Sequence, residues 1–444
     1  MSRARIATWG TVVGVLLLLA FSIAPSVAGA VEFGIVPGSV EVRAVDGEGN
    51  PDTRAGVHPN GLQVSFGLVA EGTGTSARDF VFEFDPGLSG SPSAGPTCAR
   101  PVFEDEGCPA NTQVGVFRLQ QGEGEPTDEP IYNIAPAPNQ LAALGFKPYW
   151  KTQLEMDLRP SDYGLRLRTT EIPQLPLASG RVELWGIPAD HLAEPPPERI
   201  PFLTTPTRCG SLGVTFRTRS WEVGAPWLSE TAETPPFTGC ASLPFAPQLG
   251  FDLSTRTADS PTGARIDLGM PKHDGPDESV NSSIKDVRVD LPPGVTISPG
   301  GAEGLESCRD AQFGLGAETP VACPPLSRVG SVEISTPQLG ETLNGSIYLG
   351  EERPGERFRL FVGAAARGVE LKAFGKLVSD PQTGQLAAVL NGLPQVSVDR
   401  ISLSFDGGPH ALLATPLACG PATARARCSA CRSTPSDRAR LRYR

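Results

Sequence analysis

An interval constrains this chain most. Cys98 and Cys308 lie 210 positions apart, and so do Cys209 and Cys419. Phe202-Leu203-Thr204-Thr205-Pro206 and Leu412-Leu413-Ala414-Thr415-Pro416 keep the same offset of 210, whereas Cys108 to Cys323 and Gly115 to Gly330 are both 215. Solenoid repeats recur every ~20–50 residues, so an interval of this size points to tandem duplication of a whole domain. One unit sits at the centre of each copy. In the second, Val287-Arg288-Val289-Asp290-Leu291 reads as a strand running into a Pro292-Pro293-Gly294 turn. A loop from Cys308 to Cys323 follows, then Pro324-Pro325 and a strand over Arg328-Val329-Gly330-Ser331-Val332-Glu333-Ile334. In the first, Phe82-Glu83-Phe84-Asp85-Pro86-Gly87 leads to Cys98, and Cys108-Pro109 leads to Val114-Gly115-Val116-Phe117-Arg118-Leu119.

Between these anchors, short alternating runs are separated by Gly/Pro turns. Val40-Glu41-Val42-Arg43-Ala44 and Leu62-Gln63-Val64-Ser65-Phe66-Gly67-Leu68 both alternate with period two. That period, with β-branched and aromatic residues on one face, is the mark of half-buried antiparallel strands. Leu165–Arg168, Val182–Trp185, Ile266–Leu268, Phe358–Phe361, Val369–Lys372 and Ile401–Phe405 read the same way. Asn344-Gly345 and Asp380-Pro381-Gln382-Thr383-Gly384 suit hairpin turns. The expected fold is all-β: two tandem sandwich-like (immunoglobulin-like) repeat modules, 31–243 and 244–420, the second truncated. Each copy has room for two halves of about 100 residues. Gly115 and Gly330 fall at matching places inside strands, where a bulge or a close backbone approach accounts for glycine.

The N-terminus reads as an export signal over residues 1–30. Arg3 and Arg5 precede an apolar run from Thr11 to Ala24, and Ala28-Gly29-Ala30 is a cleavage site before Val31. No second apolar stretch is long enough to span a bilayer, so no membrane span is expected after cleavage. Nine cysteines in an exported chain read as disulfides; the repeat suggests Cys98–Cys108 and Cys308–Cys323, and Cys209–Cys240 is a third expected pair in the first copy. The net charge is −11, and the body of the chain is more acidic still, because the last 24 residues carry seven Arg against one Asp. An acidic body is ill suited to nucleic acid, whose binding depends on neutralising phosphates.

Several stretches together carry a resemblance. They are Asp290-Leu291-Pro292-Pro293-Gly294-Val295, Cys308-Arg309-Asp310-Ala311-Gln312-Phe313, Gly345-Ser346-Ile347-Tyr348-Leu349 and Gly407-Gly408-Pro409. Upstream, Pro51–Pro59 and Val182–Asp190 add to it. From Val31 to about Ala426 the chain resembles the long, uncharacterised secreted repeat proteins of high-GC soil bacteria. That resemblance implies an exported, repetitive envelope or extracellular protein and no enzymatic activity.

Motifs that carry chemistry are sparse. His58, His191, His273 and His410 are far apart in the sequence, and none has a second His or Cys at helical spacing. There is no nucleophile elbow, Walker loop or zinc-protease helix. The Gly90–Gly95 run is a flexible loop rather than an elbow. Asp46–Asp52 offers oxygen ligands, but Pro51 stands where a calcium loop needs glycine. His273–Glu278 is a polar turn of the same kind. Cys428-Ser429-Ala430-Cys431 has no second pair to complete a zinc site. Trp185, Trp221 and Trp227 could line a carbohydrate surface, although core packing accounts for them more simply.

The reading is an exported structural or adhesive protein, secreted or at the cell surface, without catalysis, cofactor or metal. Its expected partners are cell-envelope polymers or other surface proteins. One alternative is a polysaccharide-binding module of the envelope, and another is a secreted glycoside hydrolase with dispersed carboxylates. The segment 421–444 breaks the repeat. After Cys419-Gly420 the second copy lacks the strand, tryptophan and cysteine that follow Cys209-Gly210, and turns into Arg-rich sequence. A frameshift near codon 427 would produce such a switch. It would leave a basic, disordered tail, an unpaired last sheet edge and Cys419 without a partner.

Overall fold

The computed structural model describes residues 33–69, 76–93, 95–105, 107–147, 151–193, 198–299, 304–418 and 440–442. The fold is all-β and sandwich-like, with large antiparallel sheets. Residues 1–30, expected to be an export signal, lie outside the described residues, as do the C-x-x-C pair and Cys419.

The first half of the chain opens with β1 (Gly34–Ile35), β2 (Glu41–Val45), β3 (Gly61–Val69), β4 (Ala77–Phe84) and β5 (Ser89–Gly90). A short helix α1 (Arg100–Asp105) precedes β6 (Gln113–Gln121), β7 (Thr127–Ile134), β8 (Ala142–Phe146) and β9 (Thr152–Leu158). Then come β10 (Leu165–Thr169), β11 (Leu177–Trp185), β12 (Leu203–Thr204), β13 (Gly213–Ser220) and β14 (Leu228–Glu233). One sheet takes twelve of these strands, in the order β1-β3-β11-β6-β7-β8-β9-β10-β4-β13-β14, with β2 also on β3. β14 returns beside β1 and β2, and Gly38 N donates to Glu230 Oε1 at 2.6 Å, so the sheet curls until its ends meet.

Alternation explains the core this encloses. Leu62, Val64, Phe66 and Leu68 of β3 point inward while Gln63 and Ser65 face out. Phe80, Phe82 and Phe84 of β4 do the same, as do Val214 and Phe216 of β13. Phe216 is fully buried, with its ring centroid 4.5 Å from Phe66, 5.0 Å from Phe82 and 5.5 Å from Phe80. Offset or tilted aromatic contacts of this kind add stabilisation beyond area burial.

The second half starts with β15 (Gln248–Leu253), β16 (Pro261–Thr262), β17 (Ala264–Gly269), β18 (Val287–Asp290) and β19 (Thr296–Ile297). Helix α2 (Asp310–Phe313) is followed by β20 (Arg328–Ser335), β21 (Leu343–Gly350), β22 (Phe358–Ala366) and β23 (Val369–Ser379). β24 (Leu386–Leu390), β25 (Arg400–Phe405), β26 (Leu413–Ala414) and β27 (Arg440–Arg442) complete it. Its large sheet runs β15-β17-β25-β20-β21-β22-β23-β24-β18-β27. Reading outward from β2 in the first sheet and β15 in the second, the chain visits its strands in one and the same order up to β13 and β27. The strands that hold each sheet together come from both ends of their half, with β3 on β11 and β17 on β25.

Disulfides join Cys98 to Cys108, Cys209 to Cys240 and Cys308 to Cys323. The first and third close matching loops. Each loop is tied at its first cysteine, Cys98 N to Asn133 O and Cys308 N to Leu349 O, both at 2.8 Å. Each carries a helix whose phenylalanine, Phe103 or Phe313, plugs a small satellite core at 1% and 0% exposure.

Gly115 and Gly330 have the reason their positions suggested. An added Cβ would stand 2.2 Å from Glu183 O and 2.3 Å from Ser404 O respectively, and the ladder shifts register beside both. Asn344-Gly345 is a correction, because it lies inside β21 rather than in a turn. There β21 pairs with β22 so closely that a Cβ on Gly345 would come within 1.8 Å of Gly363 O. Glycine served the approach and not the bend. The edge expected to be bare is another correction: Arg440, Leu441 and Arg442 pair with Asp290, Val289 and Arg288 of β18.

Candidate functional site at the junction of the two sheets

The two halves meet along a seam. Val280 N donates to Gly56 O at 2.8 Å. Gln338 Nε2 donates to Ser89 Oγ at 2.7 Å, and Thr207 and Ser283 share a hydroxyl contact of 3.0 Å. Ser93 of the Gly90–Gly95 run donates to Gln338 O at 2.9 Å, so this stretch is fastened across the seam. Deeper in, Leu158, Leu165, Leu371 and Val398 line an apolar gap of about 60 Å³. At roughly 10–15 Å³ per probe-occupied water, that gap holds a few waters and no sizeable ligand.

The larger openings lie at the rim. A cleft of about 510 Å³ is lined by His58, Arg199, His273, Asp274, Ser283 and Asp399, among others. A second depression of about 500 Å³ shares His58 and Arg199 and adds Asp190, His191 and Asp277. Volumes of this order at a boundary between units are typical of ligand sites.

Each wall residue is held for a local reason. His58 Nδ1 lies 3.1 Å from Leu203 O and 3.1 Å from Thr204 Oγ1. The Leu203 carbonyl only accepts, so Nδ1 carries the proton. Burial lowers the His58 pKa, outweighing the Leu203 and Gly275 carbonyls and the carboxylates of Asp274 and Asp277, which pull it up. His191 Nε2 lies 2.9 Å from Asn60 O, and its ring stacks flat on buried Trp185 at 4.4 Å. Arg199 spans the seam. Its guanidinium donates to both Asp190 oxygens at 2.7 and 2.8 Å, and to both Asp277 oxygens at 3.0 and 2.8 Å. The first contact lowers the Asp190 pKa, and the two together raise that of Arg199. Asp399, half-buried, is pushed up by burial.

Three histidines widely separated in the sequence therefore gather round one junction, while His410 is exposed outside these openings. The gathering does not make a metal centre: among the described residues no group of three or more His, Cys, Asp or Glu is placed to hold one. The oxygen-rich 46–52 loop uses its oxygens on neighbouring protein donors. Asp46 accepts from Glu48 N and Asn50 N at 2.9 Å each, and Asp52 is engaged by Arg54. The tryptophans do not form one face. Trp185 is buried, Trp221 donates to Ile172 O at 2.7 Å beneath Arg78, and Trp227 alone of the three is exposed, lying over Arg217 and Arg219. Arg199 was not singled out by any sequence signal. Its partners lie 9 and 78 positions away, beyond the reach of a local motif.

No family model and no curated protein matches this chain. No helix among the described residues is long and apolar enough to cross a membrane.

Proposed function

We propose that this chain is an exported structural or adhesive protein, secreted or at the cell surface, without catalysis of its own. The seam carries this reading. Two disulfide-stapled sheets are joined by hydrogen bonds, by the Arg199 bridge and by an apolar interior, which gives a stiff body able to bear load. Disulfides fit an oxidising compartment outside the cytosol. On this reading residues 1–30 direct export, the two sheets descend from one duplicated module, and the chain belongs with the secreted repeat proteins it resembles. The test is protease treatment of intact producing cells, followed by mass spectrometry of the released peptides. Release of peptides from both sheets supports the reading, and recovery only after lysis sinks it. A screen with ester, peptide and glycoside substrates checks the non-catalytic part, where turnover abolished by one point substitution overturns it.

The junction cleft favours a second reading, a polysaccharide-binding module of the envelope. Its size suits a saccharide of a few units, and its walls mix imidazoles, carboxylates and hydroxyls with Met270 and Ile284. Titration calorimetry with envelope polysaccharide fragments decides this. Binding lost in His58→Ala supports the cleft, and binding retained there places the ligand elsewhere. A hydrolase is less well supported, because Asp190 and Asp277 are both held by Arg199.

A further inference from the structure

Lys372 joins three parts of the molecule. Its side chain is 2% exposed, and Nζ donates to Gly314 O at 3.2 Å, Ala317 O at 3.2 Å and Thr319 O at 2.5 Å. The Glu370 carboxylate lies 3.1 Å away. A buried ammonium is tolerated only when its protons are matched. Here the match comes from the loop that Cys308–Cys323 closes, so the disulfide, the loop and the lysine depend on one another.

The main chain of Lys372 faces the other sheet. β24 pairs with β23 only from Gly375 onward, so residues 369–374 have no strand on that side among the described residues. Tyr163 fills the gap. Lys372 N donates to Tyr163 Oη at 2.8 Å, and Oη donates to Lys372 O at 3.1 Å. A phenol can give and accept at once, so one hydroxyl stands in for a residue of a neighbouring strand. The turn that presents it is rigid. Tyr163 has φ 62°, a region that side chains rarely occupy. Arg159 holds the turn by donating to Asp162 at 3.0 and 2.8 Å and to Phe84 O at 2.7 Å. The loop also reaches back to the first sheet, where Glu318 lies 3.9 Å from Arg166.

We propose that Tyr163, Lys372 and the 308–323 loop form a lock that fixes the two sheets relative to one another, and that reduction of Cys308–Cys323 releases it. Cys308 is fully buried and Cys323 only partly so, which directs attack to the Cys323 sulfur. A thiolate of a small dithiol bonds to Cys323 Sγ, and Cys308 leaves as a thiolate and takes up a proton. The second thiol of the reagent then displaces Cys323. The products are two cysteine thiols and the oxidised cyclic dithiol. With the loop free, Lys372 loses its carbonyl partners, the β23 edge around it loosens, and Tyr163 loses its seat.

The experiment uses the full chain, with two readouts: hydrogen exchange at the Lys372 amide and the maximum dimension from small-angle X-ray scattering. Tyr163→Phe keeps the ring and removes both hydrogen bonds. It is expected to speed Lys372 exchange about tenfold and to enlarge the particle. The Cys308→Ser/Cys323→Ser variant should do the same, with no further change when the two are combined. Cys98→Ser/Cys108→Ser, which opens the matching loop of the first sheet, should leave both readouts at the wild-type value. If the Cys308→Ser/Cys323→Ser variant does not fold, Lys372→Met tests the same step, because it fills the space without the charge. Unchanged dimensions in Tyr163→Phe and in the loop variant, or an equal response in the Cys98 control, overturn the lock.

Discussion

Two glycines and a histidine carry more of this structure than their size suggests. At Gly115 and Gly330 a methyl group would meet backbone carbonyl oxygens, which cannot swing aside as a flexible side chain would. Alanine at either site should destabilise its sheet by about 1–3 kcal/mol or more, read as a lower denaturation midpoint with an unchanged slope. A neutral outcome would mean that the bulge relaxes. His58 sets a pH dependence. Its folded pKa is lowered below the ordinary imidazole value of about 6.5. The unfolded chain therefore takes up the proton first as pH falls. The stability tied to neutral His58 is complete above pH of about 6.5 and is lost as pH drops through that value toward the folded pKa. Denaturation midpoints measured from pH 8 to about 5 should fall in the wild type and flatten in His58→Gln. An equal fall in both would assign the effect to other groups. The sequence displayed both glycines, because matched positions inside matched strands needed an explanation. It could not display the junction openings, since His58, His191 and His273 come to line them only after distant loops converge.

At the scale of elements, the disulfides and the strands were legible for different reasons. The strands wrote themselves as period two, from Leu62–Leu68 to Ile401–Phe405. Two of the cysteine pairs, Cys98–Cys108 and Cys308–Cys323, followed from their matching places in the two copies, and Cys209–Cys240 from what remained in the first copy. Strand order was not legible, because pairing β3 with β11 joins residues more than a hundred positions apart and nothing local records it. Asn344-Gly345 misled for the opposite reason: a strong local turn signal was overridden by the close pairing of β21 and β22. The Cys209–Cys240 bridge closes a separation of 31 residues, which in the chain-entropy account is worth about 3–4 kcal/mol. The same bridge sits where β13 and β14 complete the first sheet. Reduced protein, or the Cys209→Ser/Cys240→Ser variant, should melt several degrees lower in calorimetry. An unchanged melting temperature would mean that the β13–β14 region holds without its staple.

At the scale of the whole molecule, the described residues build two large sheets with a seam between them, and the seam decides whether they act as one body. Inter-domain boundaries are mobile by default unless the interface is extensive. Here Arg199 bridges Asp190 and Asp277, Tyr163 seats on β23, and apolar side chains fill the space between. The wild type should therefore unfold in one calorimetric transition. Arg199→Ala combined with Tyr163→Phe should split it into two. Two transitions already present in the wild type, and indifferent to both substitutions, would show that the seam transmits nothing. None of this was visible in the sequence, where Arg199 and Tyr163 stand in unremarkable polar turns. The enclosure of Lys372 has a consequence for the bench. An amine-acylating reagent meets an exposed Lys151 and an inaccessible Lys372, so acylation at Lys372 should stay silent for as long as the 308–323 loop keeps its carbonyls on the ammonium. Its appearance in a tryptic digest would report, without any label built into the protein, the moment at which that loop lets go of the lysine.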